Sequence, residues 1–326
     1  MQPNHWKDRK VFVTGATGLL GSWLIKELLS YGAYVVALVR DNDPQAELLR
    51  SGDFQKVHII NGQLEDFWTL ERAVNQHEIE TVFHLGAQAI VGTAYRFPLA
   101  TFETNIRGTY NLLEACRIHK NLVKQVIVAS SDKAYGVSEN LPYIEEAPLK
   151  GRFPYDVSKS CTDLIAQSYA HSFSLPVVVI RCGNIYGGGD LNWSRIIPGT
   201  IRSFFLKERP VIRSDGKFIR DYVYVKDVCR FYLQVAQHLE IKHWIGEAFN
   251  YSLQKPLSVL QLVDKIAQLM HCQHLKPNIL NNQKGEIHSQ SLSSAKIRKL
   301  ISIKGELSLE KGLIETIKWY KEFLRK

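Results

Sequence analysis

No uncharged stretch of this 326-residue chain approaches the roughly 20 residues needed to span a bilayer, and its start, MQPNHWKDRK, has no apolar h-region. The sequence therefore predicts a chain that neither enters nor crosses a membrane. Cysteine is scarce. Cys116, Cys161, Cys182, Cys229 and Cys272 form an odd set with no CxxC spacing, which argues against a disulfide-built secreted module and fits a reducing cytoplasm. No metal is expected. A composition of 45% hydrophobic and 22% charged residues excludes disorder and is enough for one large core plus a lobe.

The formal charge of +9 invites a nucleic-acid reading, so its location matters. Residues 195–220 hold seven Arg or Lys against two acids and residues 284–326 hold ten against five, a net +5 in each that leaves −1 for the rest. The second excess falls largely on a stretch with Leu309, Leu313, Ile317, Tyr320 and Leu324 at helical spacing, an amphipathic pattern whose charges should face solvent. No continuous basic stripe remains, and no nucleic-acid partner is expected.

Short, nearly continuous apolar runs alternate with helical patterns through the first half, as in a parallel sheet covered on both faces. Strands are predicted at Lys10–Thr14, Tyr34–Val39, Val57–Ile60, Thr81–Leu85, Gln125–Ala129 and Val177–Arg181, with helices near Leu19–Ser30, Phe67–Gln76, Leu99–His119 and Tyr155–Ser172. The alternation stops after Gly183. The expected fold is α/β, a Rossmann-type doubly wound parallel sheet over residues 1–182 with a smaller mixed α/β substrate lobe over 183–326, the two interleaved in the chain.

Gly15, Gly18 and Gly21 form GxxGxxG between the first strand and the first helix, where small residues let the backbone approach a pyrophosphate at a helix N-terminus. This implies NAD or NADP. The second strand ends in Arg40 followed by Asp41; an acid there would bind ribose hydroxyls and an Arg the 2′-phosphate, so NADP is slightly favoured. Asp66 is a candidate adenine contact. Tyr155 and Lys159 form YxxxK, an i, i+4 pair on one helix face, and an ammonium near a phenol would lower the phenol towards neutrality and make it a base for a hydroxyl being oxidised.

With HLGAQ at 84–88, TFETNIRGTYNLLEA at 101–115, SSDKAYG at 130–136 and RCGNIYGGGD at 181–190 in the same order, the chain resembles the extended short-chain dehydrogenase/reductase superfamily along essentially its whole length. Within it the resemblance is to nucleotide-sugar 4,6-dehydratases, of the CDP-glucose type. The resemblance implies that Thr17, Leu19, Leu64, Leu85, Ala87 and Asn105 join the residues above around the dinucleotide, and that Ser131 is the catalytic hydroxyl. It also implies that Asp132 and Lys133 perform an elimination: Tyr155 takes the C4 hydroxyl proton, Lys133 serves as C5 base and Asp132 as acid to the C6 hydroxyl, or the last two reversed. Sugar epimerases of the superfamily carry small or uncharged residues after the catalytic Ser or Thr.

For the substrate, a nucleotide-diphosphate sugar, the same likeness points to Gln88, Asn184, Arg195, Arg220, Glu286 and His288. An Arg suits diphosphate because its planar fork donates two parallel hydrogen bonds. Gln63, where the family more often has an acid, Cys161, and Arg40 depart from the pattern. The alternatives are a nucleotide-sugar 4-epimerase and a non-catalytic dinucleotide-binding scaffold. A homodimer through the long helices at Leu99–His119 and Tyr155–Ser172 is also expected from the likeness.

Overall fold

β-Branched and aliphatic residues, stiff at χ1 and apolar on both sides, build the centre of the molecule. A computed structural model describes residues 5–242, 244–282, 286–303 and 305–325. Its strands β1 (Lys10–Thr14), β2 (Tyr34–Val39), β3 (His58–Asn61), β4 (Thr81–His84), β5 (Gln125–Ala129) and β6 (Val177–Cys182) fall within one residue of the predicted runs. A further strand, β7 (Ala248–Tyr251), has no counterpart in the sequence reading. All pairings are parallel, in the order β7-β6-β5-β4-β1-β2-β3. The order reverses between β1 and β4, and a crevice opens beyond the strand ends at that switch point.

Alternate residues of each strand feed two cores. Val11, Val13, Ile127, Val178 and Ile180 face helix α1 (Leu19–Ser30) and the C-terminal part. Phe12, Val82, Val126, Val128 and Val179 face α2 (Phe67–Gln76), α3 (Gly108–Ile118) and α4 (Pro154–Phe173). Full burial of each such side chain contributes about 1.5–3 kcal/mol, so both faces resist a register slip.

The single helix predicted over Leu99–His119 is instead three pieces: a short helix at Pro98–Phe102, a π-helical turn at Glu103–Arg107, and α3. Close packing explains part of the break, because a Cβ on Gly108 would lie 2.5 Å from that of Leu64. The π turn carries the buried Asn105. Such turns are rare inside α-helices and fall frequently at functional sites.

Beyond Gly183 the chain leaves the sheet, returns to it as β7, and leaves again, so the sheet draws strands from both sides of 182. Small two-stranded pairings, Asn184–Tyr186 with Tyr222–Tyr224 and Ile219–Arg220 with Leu257–Ser258, sit over the crevice. The C-terminal helix, Leu309–Leu324, buries Leu313, Ile317 and Tyr320 and leaves Lys311, Lys318 and Lys321 exposed, the amphipathic pattern expected of it. Among the described residues no helix is long and apolar enough to cross a membrane.

Candidate active site

The glycine loop shapes one end of a cleft of about 1050 Å³. Gly15 has φ +68°, and a Cβ there would meet Gly86 N at 2.7 Å; a Cβ on Gly21 would meet Gly15 O at 2.1 Å. Only glycine lets the loop fold onto the end of β4 and onto itself. Gly18, the N-cap of α1, supplies no side-chain hydrogen bond, so the first-turn N–H groups of this 12-residue helix remain as donors for an anion. Thr17, Leu19, Arg40, Leu64, Leu85 and Ala87 line the same cleft. These features fit a dinucleotide, whose pyrophosphate would take the helix end.

Three residues assigned here from sequence act elsewhere. Asp66 caps α2, accepting from Thr69 N at 3.3 Å and Thr69 Oγ1 at 2.6 Å, and does not line the cleft. Asn105 Oδ1 accepts from Gln88 N at 2.7 Å while its Nδ2 donates to Gln88 O and Ser158 Oγ, which fastens the chain after β4 to α4 from behind the wall. Gln88 turns its side chain back to accept from Ile90 N at 3.0 Å. The Arg40 guanidinium lies 2.7 Å from the Asp41 carboxylate, both exposed.

His84, buried at the end of β4, was not singled out, yet it links these parts. Its Nδ1 lies 2.9 Å from Thr14 Oγ1 and its Nε2 3.0 Å from Thr109 Oγ1. Burial, helped by the Lys159 charge, pushes it down to about 3, so the imidazole is neutral. Thr109 gives its own proton to Asn105 O, so Nε2–H donates to Thr109 and Nδ1 accepts from Thr14.

At the other side, β5 ends in Ser131, which N-caps a 3-10 turn at Asp132–Tyr135 by accepting from Lys133 N at 3.2 Å. The turn places Asp132 and Lys133 in the cleft wall while both remain buried. Ser131 Oγ donates to Asp132 Oδ1 at 3.1 Å and also engages the Tyr155 hydroxyl; Lys133 Nζ donates to Gln290 Oε1 at 2.9 Å. Asp132 Oδ2 is buried with no hydrogen-bond partner. Burial raises the Asp132 carboxyl, against the pull of Lys133 and Arg220, and burial with the Arg220 charge lowers Lys133. The two shifts favour a neutral acid beside a neutral amine.

Tyr155 and Lys159, one turn apart on α4, both line the cleft. The expected lowering of the phenol by Lys159 is not what the chain's own groups produce. Burial pushes Tyr155 up to about 12, and the groups that oppose it are Arg195 and Ser131. Lys159 Nζ donates to Ala129 O at 2.7 Å, and burial brings it down to about 8 despite Asp163. Asp163 in turn grips Arg181 of β6 with two bonds of 2.8 Å, which ties α4 to the sheet and fixes the Tyr155–Lys159 face.

The lobe contributes Asn184, Arg195, Arg220 and Glu286 to the wall, together with Arg213, Phe218 and Tyr232, which sequence reasoning did not isolate. Arg195 is partly exposed and pairs with Asp190 at 3.1 Å. Arg220 is buried and already committed. Its Nη1 donates to Ile219 O and His288 O, and its Nη2 to Glu286 Oε1 and Ile287 O. These bonds take up both Nη groups, so a diphosphate contact by Arg220 would fall to its Nε–H or share an Nη donor. His288 lies outside the cleft lining, its ring 5.0 Å from that of Phe218 and its Nδ1 2.8 Å from Ser289 Oγ.

Residues 11–250 match the model of a family described as NAD dependent epimerase/dehydratase. The chain is 32% identical to a CDP-glucose 4,6-dehydratase of Salmonella typhimurium strain LT2, an alignment covering 99% of this chain and 93% of that one. The dTDP-glucose 4,6-dehydratase of Streptomyces venezuelae, solved with NAD bound, superposes with TM-score 0.88 over 96% of this chain and 97% of that one, at 24% identity. A UDP-glucose 4-epimerase of Thermotoga maritima, solved with UDP-glucose, gives TM-score 0.87 over 97% and 99%, at 27% identity.

Proposed function

Since this chain belongs to the NAD dependent epimerase/dehydratase family, we propose that it is a nucleotide-sugar 4,6-dehydratase that turns an NDP-hexose into its 4-keto-6-deoxy derivative, with CDP-glucose as the first substrate to try. The observation that carries this is the pair Asp132 and Lys133, buried in the cleft wall beside Ser131 and shifted towards uncharged forms. A 4-epimerase needs neither a second acid nor a second base. Like relatives of both activities share the fold, so the fold alone does not choose between them.

NAD, when held in the cleft by the glycine loop and by Tyr155 and Lys159, would supply the hydride acceptor for C4 and the hydride donor for C6, and its nicotinamide would add a positive charge there. The residues of the chain manage the protons. Tyr155, held by Ser131, takes the proton of the C4 hydroxyl. Oxidation at C4 acidifies the C5 proton, which neutral Lys133 removes, while protonated Asp132 gives its proton to the C6 hydroxyl, which leaves as water. The directions of the two shifts support Lys133 as base and Asp132 as acid over the reverse assignment. NAD rather than NADP is the cofactor supported by Arg40, whose guanidinium is occupied by the Asp41 carboxylate, and that carboxylate would repel a 2′-phosphate. Arg195 is the freer cation for the substrate diphosphate. Five free thiols fit a reducing cytoplasm as its location.

Incubation with CDP-, dTDP-, UDP- and GDP-glucose should convert one of them to a 4-keto-6-deoxy sugar. Inversion at C4 with the 6-hydroxyl retained would instead identify an epimerase.

We also propose a homodimer. Leu99, Tyr110 and Leu164, on neighbouring helices, are exposed by 72%, 41% and 55%, a concentration of apolar surface on one set of helices that a second copy would cover. Sedimentation at micromolar concentration should give twice the chain mass, and Leu164→Asp should shift it towards one. A monomeric wild type contradicts the dimer.

A further inference from the structure

We propose that Gln290 is a positioning residue for proton removal at C5: it holds the amine of Lys133 in the orientation that the elimination needs. This rests on the dehydratase reading. A neutral amine has two N–H bonds and one lone pair, and it turns freely about its Cε–Nζ bond. Gln290 Oε1 accepts from Lys133 Nζ at 2.9 Å in a buried contact, which fixes one N–H, stops free rotation and narrows the lone pair to the two positions that remain about Cε–Nζ. In the step that follows, the lone pair forms a new N–H bond with the C5 proton. The C5–H electrons become the C5–C6 double bond, and the C6–O bond breaks as Asp132 protonates the departing oxygen to water.

The segment that carries Gln290 is itself held by the substrate lobe. Gln290 N donates to Ile219 O at 3.1 Å, Ile219 N donates to His288 O at 3.0 Å, and the Arg220 guanidinium binds Glu286, Ile287 O and His288 O. Arg220 thus acts on Lys133 twice, once through its charge and once by holding the extended segment on which Gln290 rides. The charged groups that face Lys133 are Arg220 on one β-strand, Asp132 beside it in the chain, Glu286 on the segment of Gln290, and Asp156 on α4. Gln290 is the uncharged partner among them, so it orients the amine without fixing a proton on it. A carboxylate in its place would do the opposite.

Two variants test this, Gln290→Ala and the isosteric Gln290→Glu, assayed with the hexose nucleotide that the wild type converts, unlabelled and deuterated at C4 or at C5. In Gln290→Ala, kcat should fall about tenfold to a hundredfold, part of what a general base supplies, with KM within about twofold. The C5 isotope effect should grow and the C4 effect shrink, because proton removal becomes limiting. In Gln290→Glu the new carboxylate holds Lys133 as an ammonium, so its pKa rises and the acid limb of the kcat profile moves up by about one pH unit or more. Unchanged kcat and pH profile in both variants would overturn the proposal. So would a loss of rate with both isotope effects unaltered, since a structural defect slows every step alike. Failure of the dehydratase reading looks different: the wild type itself then forms no 4-keto-6-deoxy product.

Discussion

Lys133→Met is expected to lower turnover by roughly a hundredfold to ten-thousandfold, the range that a positioned general base supplies, while oxidation at C4 continues. The methionine keeps the length of the side chain and removes the amine. In a single turnover the variant should build up the reduced-nicotinamide absorbance and stall there, because Tyr155, Ser131 and Lys159 are intact while the C5 proton has nowhere to go. Asp132→Asn should stall at the same stage, since an amide does not protonate a departing hydroxyl. Tyr155→Phe should show no such build-up, because it fails before the ketone forms. The Lys133 loss should also cost about 1–3 kcal/mol of stability, because Gln290 Oε1 is left buried without its donor, so turnover is to be compared well below the melting point of the variant. A Lys133→Met enzyme that makes product at the wild-type rate would remove Lys133 from the mechanism.

Asp163→Ala is expected to cost about 3–5 kcal/mol of folding stability, the penalty for leaving a buried charge without its partner. Asp163 and Arg181 are both almost inaccessible to solvent, and their two bonds of 2.8 Å are joined by Arg181 Nη1 to Tyr135 Oη at 2.7 Å and to Glu145 O at 2.9 Å. Removing the carboxylate leaves the guanidinium with two neutral acceptors. At about 2–4 °C per kcal/mol for a chain of this size or somewhat smaller, the melting temperature should drop by roughly 10 °C. The contrast is the exposed Arg40–Asp41 pair, where Asp41→Ala should change stability by less than about 1 kcal/mol. Equal melting temperatures for Asp163→Ala and the parent would mean that α4 is not tied to the sheet through this pair. Because Asp163 also supports the charge on Lys159, the variant should bind NAD less well even below its melting point.

Periodicity in the sequence carried the sheet up to β6, because a strand buried on both faces has no choice but to be apolar throughout. It missed β7, which is only four residues long, holds the polar Asn250, and follows a long helix in a region without alternation. The break in the helix at 99–119 was equally silent, since a π turn changes the hydrogen-bond register without changing the apolar spacing. The motifs at Gly15, Ser131, Asp132 and Lys133 could be read because each sits within a few residues of a strand end, and Tyr155 and Lys159 because their spacing puts them one turn apart on a helix, so local geometry decides where they point. Asp66, Gln88 and Arg220 were harder. Their residue types suit a ligand, but each is used within the protein: Asp66 and Gln88 by backbone or side-chain groups two or three residues on, and Arg220 by Glu286, which arrives from a distant part of the chain. In the segment EIHSQ the histidine attracted attention for its chemistry, yet the glutamine two residues on is the one that turns inward.

Tracing a deuterium placed at C4 of the substrate tests the central claim most directly. If Asp132 and Lys133 carry out an elimination between hydride removal and hydride return, NMR of the product should show the label in the C6 methyl group, with a ketone at C4. Label found still at C4 of a hexose that keeps its 6-hydroxyl would contradict the account.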